Sequence, residues 1–278
     1  VDARFGPAEK AINAGDVDRL KALLEAEPAL ATARSTCSHP NLMQCLVLVR
    51  PPREELERLM RLLADFGSEL TNPLIAAACV DNVRAIKELL DLGAAIDGNG
   101  VWSPLEEALY WGFAASVNLL LERGAVVDNL RKAAALGRRD VFLACFDETG
   151  ELTEQAGQIV SPFDKWDRLD SPELRHDRQE IVNNALVYAA VWGQQETMQE
   201  LLNRGAEVNA IPAGFDFAGT PLHNASLRGR RDTVDWLLQH GADPAVRDAK
   251  IDKLPEDWAA HDGHADLAAY LKQQRQRG

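Results

Sequence analysis

Between Thr220 and Gly241 the chain reads Thr220-Pro221-Leu222-His223-Asn224-Ala225-Ser226 and then Trp236-Leu237-Leu238-Gln239-His240-Gly241, and imperfect copies of this sentence recur along the sequence. The period lies in the low thirties, room for two short helices and a turn. A unit of that size cannot bury its apolar side alone, so it must stack on neighbours, and the chain is expected to form a solenoid. Such an array presents an extended surface. Recognition of a partner on that surface is the first expectation for function.

Two rulers set the register. One is the glycine between the helices of a unit, at Gly15, Gly112, Gly137, Gly193, Gly229 and Gly263. The other is the small-residue turn after the second helix, at Gly67-Ser68, Gly93-Ala94, Gly124-Ala125, Gly205-Ala206 and Gly241-Ala242. Glycine suits both because helices commonly close with a residue at positive φ. A leucine pair precedes each small-residue turn, as in Leu89-Leu90, Leu201-Leu202 and Leu237-Leu238, and should anchor the outer helix in the core. Pro7, Pro73, Pro104, Pro221 and Pro255 open the first helices, where the missing N–H has no partner to lose. Ser103 and Thr220 stand before two of them as N-caps.

These residues resemble the ankyrin repeat family: Thr220-Pro221-Leu222-His223 matches its helix-opening tetrapeptide and Gly241-Ala242-Asp243-Pro244 its closing turn. The resemblance implies an all-α solenoid of seven to eight helix-turn-helix units with short β-hairpin loops and a concave face. A single array over 1–278 is expected, with units at about 5–35, 36–70, 71–100, 101–127, 128–152, 181–214, 215–248 and 249–274. Three departures interrupt it. The second unit carries Pro51-Pro52 between its helices, and the fifth is short, with Phe142, Leu143 and Phe146 in place of the leucine pair. Residues 153–180 fit no repeat; an insertion of this length tends to be functional or disordered. Its Phe163 and Trp166 near Pro162 and Pro172 suggest a lid or rim, against the alternative of an insert with no role.

The formal net charge of -13 argues against general affinity for nucleic acid or anionic lipid, which require a basic face. Basic islands at Arg138-Arg139 and at Arg228, Arg230 and Arg231 read as solvated turns. Cys37, Cys45, Cys79 and Cys145 show neither framework spacing nor a CxxC pair, so a reducing, cytoplasmic setting is expected. No apolar run approaches a membrane span, and residues 1–10 lack a signal-peptide core, although a leader removed upstream remains open.

In the family, the two residues before the inter-helix glycine usually face partners. Here they are Tyr110-Trp111, Val191-Trp192, Leu227-Arg228 and His261-Asp262. Trp102 falls in the hairpin region of the same face, and Phe215-Asp216-Phe217 lies in a lengthened loop. The expected binding residues are therefore Trp102, Tyr110, Trp111, Trp192, Phe215 and Phe217, with Asp216 and Arg228 giving orientation. Aromatic anchors of this kind are typical of hot spots. The competing reading is that the rings fill space beside the short fifth unit.

No HExxH, Cys/His knuckle, nucleophile elbow or phosphate-cradling loop occurs, so no catalytic residue, metal ligand or cofactor is assigned. His223 and His264 are read as structural. The function expected is a binding scaffold for a protein or peptide, with a small molecule also possible. The alternative is an enzyme whose groove acids Glu106, Glu107, Asp216 and Asp257, with His261, sit in an aromatic pocket and act as acid or base.

Overall fold

The computed structural model describes residues 4–34, 41–49, 52, 54–98, 100, 102–159, 177–215 and 218–277. Within these, the chain is helical, and the sheet pairing recorded is an isolated antiparallel bridge between Phe146 and Leu152. Two compact units divide it, Val1–Val126 and Val127–Gly278.

The first unit holds four helix pairs: α1 (Gly6–Ala14) with α2 (Val17–Ala26), α3 (Leu42–Val49) with α4 (Leu56–Asp65), α5 (Thr71–Cys79) with α6 (Val83–Asp91), and α7 (Pro104–Trp111) with α8 (Ala114–Glu122). The second holds α9 (Leu130–Leu136) with α10 (Arg139–Ala144), α11 (Arg178–Trp192) with α12 (Gln195–Asn203), α13 (Pro221–Leu227) with α14 (Arg231–Gln239), and α15 (Pro255–His261) with α16 (Ala265–Arg277).

Local chemistry sets the helix ends. At α7 the Ser103 hydroxyl accepts from Glu106 N at 3.1 Å while the Glu106 carboxylate accepts from Ser103 N at 3.0 Å, a reciprocal capping box. At α13 Thr220 and His223 play the same two parts. Asp16, Asn82, Asn129 and Asp177 cap α2, α6, α9 and α11 with side-chain oxygens. One leucine of each pair is buried and its neighbour half-buried, as at Leu89 and Leu90 or Leu201 and Leu202. In the second unit Leu186, Met198, Leu201, Leu222, Val234 and Leu237 share one apolar core. Full burial of a side chain of this size is worth roughly 1.5–3 kcal/mol.

A repeated tie links three of the outer helices, α6, α12 and α14, to the unit before each. The Asn82 amide donates to Val47 O at 3.0 Å, the Gln194 amide to Ala135 O at 3.2 Å, and the Arg230 Nε to Val191 O. All three donors sit at the N-cap position of an outer helix, and all three acceptors lie near the end of an inner one.

The departures seen in the sequence have structural counterparts. Helix α10 has six residues; its Phe142 joins Cys145 and Phe146, just past the helix end, in the core, and the Arg204 guanidinium lies 4.1 Å from the Phe146 ring. Helix α11 runs to 15 residues, longer than the other inner helices, and begins inside the segment that fits no repeat. Residues 160–176, with Phe163 and Trp166, lie outside the described residues, as do Asp216 and Phe217.

Candidate functional site

In the first unit the site is built around one carboxylate. Glu107, on α7, is 4% exposed. Its Oε2 accepts the Trp102 indole N–H at 2.6 Å and its Oε1 accepts the Trp111 indole N–H at 2.7 Å. Each oxygen thus holds one ring. The Cys79 thiol on α5 also bonds to it. Burial pushes the Glu107 carboxyl above its ordinary range, more than the indole and thiol donors lower it, and the neighbouring Glu106 charge adds to the rise. Trp111 meets the Tyr110 ring edge-on at 4.8 Å and stacks over Phe113 at 6.5 Å. These contacts fix the Trp111 plane from three sides.

The expected contact residues divide by exposure. Trp102 and Tyr110 are buried, as is every residue from Pro104 to Tyr110 along α7. Trp111 at the end of the helix is half-buried. The second unit repeats the pattern: Ile181 to Val191 are all buried, and Trp192, the last residue of α11, is half-buried. Phe215 is buried against Tyr188, ring centroids 5.5 Å apart, and Arg228 is half-buried.

The loop carrying Phe215 is held by side chains that sequence reading did not single out. Ala213 N donates to the Glu180 carboxylate at 3.0 Å, and the Asn184 amide donates to Ala213 O at 2.8 Å. Asn183 accepts from Glu207 N at 2.8 Å. These acceptors and donors come from the early turns of α11, which explains why polar residues are buried there. The sequence signal was present: two adjacent asparagines in an otherwise apolar helical stretch.

The tetrapeptide histidine organises the next loop. Thr220 N donates to His223 Nδ1 at 3.2 Å, and His223 Nε2 lies 3.1 Å from Lys253 O. A carbonyl oxygen only accepts, so the proton sits on Nε2. Burial holds the imidazole below its ordinary value. Trp258 packs edge-on against it and donates to the Asp248 carboxylate at 3.0 Å. Asp248 also accepts from the backbone of Lys250, Ile251 and Lys253. Burial pushes Asp248 up, but these donors together hold it below the usual carboxylate range.

Of the groups raised for acid–base chemistry, Glu106, Glu107 and Asp257 make structural hydrogen bonds, and Asp216 lies outside the described residues. Glu106 and Glu107 hold the α7 cap and the two indoles, and Asp257 accepts from Leu254 N at 2.9 Å at the start of α15. His261 is exposed. A cavity of about 380 Å³ lies in the second unit between the turns at Gly137 and Gly193, with Arg139, Phe142, Glu196 and Glu200 on its walls. Glu200 there is ion-paired with Arg139 at 3.5 Å and Arg204 at 3.6 Å. Among the described residues, no His, Cys, Asp and Glu group is arranged to hold a metal ion, and no helix is long and apolar enough to cross a membrane.

The family model for ankyrin repeats (three copies) matches residues 171–248. The chain is 44% identical over 65 residues to the 2-5A-dependent ribonuclease of Mus musculus, covering 23% of this chain and 9% of that protein. It is 39% identical over 77 residues to the putative E3 ubiquitin-protein ligase XBAT34 of Arabidopsis thaliana, covering 28% and 20%. A longer match, 26% identical over 230 residues, is to the Caenorhabditis elegans ankyrin repeat and KH domain-containing protein mask-1, covering 75% of this chain and 9% of that one. The matched regions are therefore a fifth or less of these relatives. Among solved structures, the human ASB11 ankyrin repeat domain aligns with a TM-score of 0.42 at 17% identity, over 96% of this chain and 97% of that one.

Proposed function

We propose, for a chain that is an ankyrin repeat protein, that it acts as a protein-interaction scaffold and contacts its partner through the partly exposed ends of its inner helices. Ankyrin repeats generally serve as protein–protein interaction scaffolds, and that is the coarse part of the reading. The finer part is the assignment of contacts: Trp111 in the first unit, and Trp192 with Arg228 in the second.

One observation carries it. Along α7 and α11 the side chains from Pro104 to Tyr110 and from Ile181 to Val191 are buried, and the final residue of each helix is a tryptophan left half-exposed. A large ring held rigidly at the surface loses little entropy on binding, which is why tryptophan is enriched among hot-spot residues. Trp102, Tyr110 and Phe215 enter this reading as supports: Trp102 shares the Glu107 carboxylate with Trp111, Tyr110 packs on Trp111, and Phe215 braces α11 at Tyr188.

The test is affinity capture from a native lysate with wild type, Trp111→Ala and Trp192→Ala, each shown to be folded by circular dichroism. Loss of a specific prey by either variant, persisting at raised salt, is the expected result. Identical prey for all three proteins places the interface elsewhere.

A further inference from the structure

Arg230 makes the repeated inter-unit tie with the wrong residue type for that duty alone. Asn82 and Gln194 perform it with neutral amides. The tie therefore asks for no more than one N–H. Arg230 supplies that N–H from Nε, to Val191 O, and so brings a positive charge the tie does not need. The guanidinium carbon lies 5.9 Å from the Trp192 ring centroid, and the side chain passes close to Gly193, whose φ is 72° and where an added Cβ would sit 3.2 Å from Thr233 Oγ1 and 3.7 Å from Arg230.

The charge also has no carboxylate partner among the described residues. Most arginines of this acidic chain are ion-paired, including the neighbouring Arg231, which pairs with Asp235 at 3.0 Å and packs on Tyr270. Burial alone acts on the Arg230 guanidinium and pulls it below its ordinary value, as expected of a cation partly removed from water without a counter-charge. Its Nε is committed to Val191 O, which orients the Nη edge, and that edge is the side that grips carboxylates in a bidentate fashion.

We infer that Arg230 and Trp192 form a recognition point for a carboxylate on an acidic segment of the partner protein, the carboxylate meeting the Nη edge and an adjoining apolar residue meeting the indole. The inference rests on the protein-interaction reading and gives that partner a chemistry. On a chain of net charge -13, one pre-oriented cation would act on such a segment locally rather than through a general field.

Arginine 230 can be tested against its own repeats, because Arg230→Gln installs the residue that Gln194 already uses for the tie. The full chain is labelled with ¹⁵N, and the indole Nε1 signal of Trp192 and the Nε signal of Arg230 are followed. The probe is a blocked peptide of alternating glutamate and leucine. Comparison probes are the same peptide with glutamine for glutamate, a short single-stranded oligonucleotide, and sodium chloride at matched ionic strength. Saturable shifts with the glutamate peptide, at least about ten-fold weaker binding by Arg230→Gln, and an intermediate Arg230→Lys are expected. A melting temperature for Arg230→Gln close to wild type is expected too, because the tie is retained. Equal binding of the glutamine peptide, tighter binding of the oligonucleotide, undiminished binding by Arg230→Gln, or a variant that fails to fold overturns the inference. Equal binding of the glutamine peptide would leave the protein-interaction reading standing and remove only the carboxylate, so the two failures are distinguishable.

Discussion

Gly229 lies between Arg228 and Arg230, and replacing it with alanine is a strong quantitative test of how the turn is held. Its φ is 63°, in the left-handed region, and an added Cβ would lie 2.5 Å from His264 Cε1 and 2.7 Å from both ring nitrogens. Two costs follow. The backbone conformation costs an L-residue about 1 kcal/mol. Displacing a packed ring adds roughly 1–3 kcal/mol, the usual range for an overfilled site. The sum, about 3 kcal/mol, should lower the melting temperature by roughly 6–12 °C for a unit of this size. Gly241→Ala is the internal control: its φ is 89°, yet nothing lies within 4 Å of the added Cβ, so only the backbone cost applies. Thermal unfolding followed by circular dichroism measures both. The steric part is isolated by a cycle with His264→Ala, which should recover about 2 kcal/mol of coupling between the two positions. If Gly229→Ala costs no more than Gly241→Ala, or the cycle shows additivity, the His264 contact is not what restricts the turn.

Two further outcomes are expected. Glu107→Gln keeps one acceptor and sets an amide N–H against the second indole; removing a buried charge offsets part of that loss, leaving a net cost of about 1–2 kcal/mol, and both the Trp102 and Trp111 indole N–H resonances should move. Unmoved resonances would show that the carboxylate does not position the rings. His223 is held neutral by burial, so its pKa is lower folded than unfolded; between the two values the unfolded chain binds the extra proton, and the contribution of His223 to stability is present above the ordinary value of 6.5 and lost as pH falls through the folded one. The stability difference between wild type and His223→Gln should therefore shrink from about pH 8 to about pH 5, as read from denaturant midpoints, and a pH-independent difference would contradict a His223 held neutral by burial.

The parts of the fold governed by local chemistry were legible in the sequence. Ser103-Pro104 and Thr220-Pro221 announce helix starts because a cap and a proline act within one turn, and the leucine pairs announce outer helices because their burial follows from spacing alone. The site was legible only in part. Trp111 and Trp192 could be placed at helix ends by counting back from Gly112 and Gly193, but their exposure, and the burial of Trp102, Tyr110 and Phe215, depend on what covers each helix. Glu107 is instructive. It stands four residues before Trp111 and five after Trp102, a spacing that brings all three together on one helix end, yet a glutamate beside aromatic residues also reads as the acid of a pocket. Only the distances separate the two roles. Asp248 was missed for a related reason: most of the donors it satisfies are backbone N–H groups of a loop, and although the Asn183-Asn184 pair stands out in the sequence, the loop atoms it reaches do not.

A repeat protein carries its own controls, and departures from the repeat divide into those the fold explains and those it does not. Asp81 occupies a turn position where other units place glycine, at a φ of 51°. The fold explains it: one oxygen of its carboxylate accepts from Ser116 N at 3.2 Å and Ser116 Oγ at 2.6 Å, tying α8 to the turn after α5, so the strained backbone is offset by bonds a glycine could not make. The Gln194 amide and the Asn82 amide are similarly accounted for by the carbonyls they reach. Arg230 is different in kind, because subtracting the shared tie leaves a charge beside the Trp192 ring that no carboxylate pairs among the described residues. The tie alone would be met by glutamine there, as it is one unit earlier. On the proposed reading, that surplus cation, rather than aromatic content as such, is where the second unit would meet a partner.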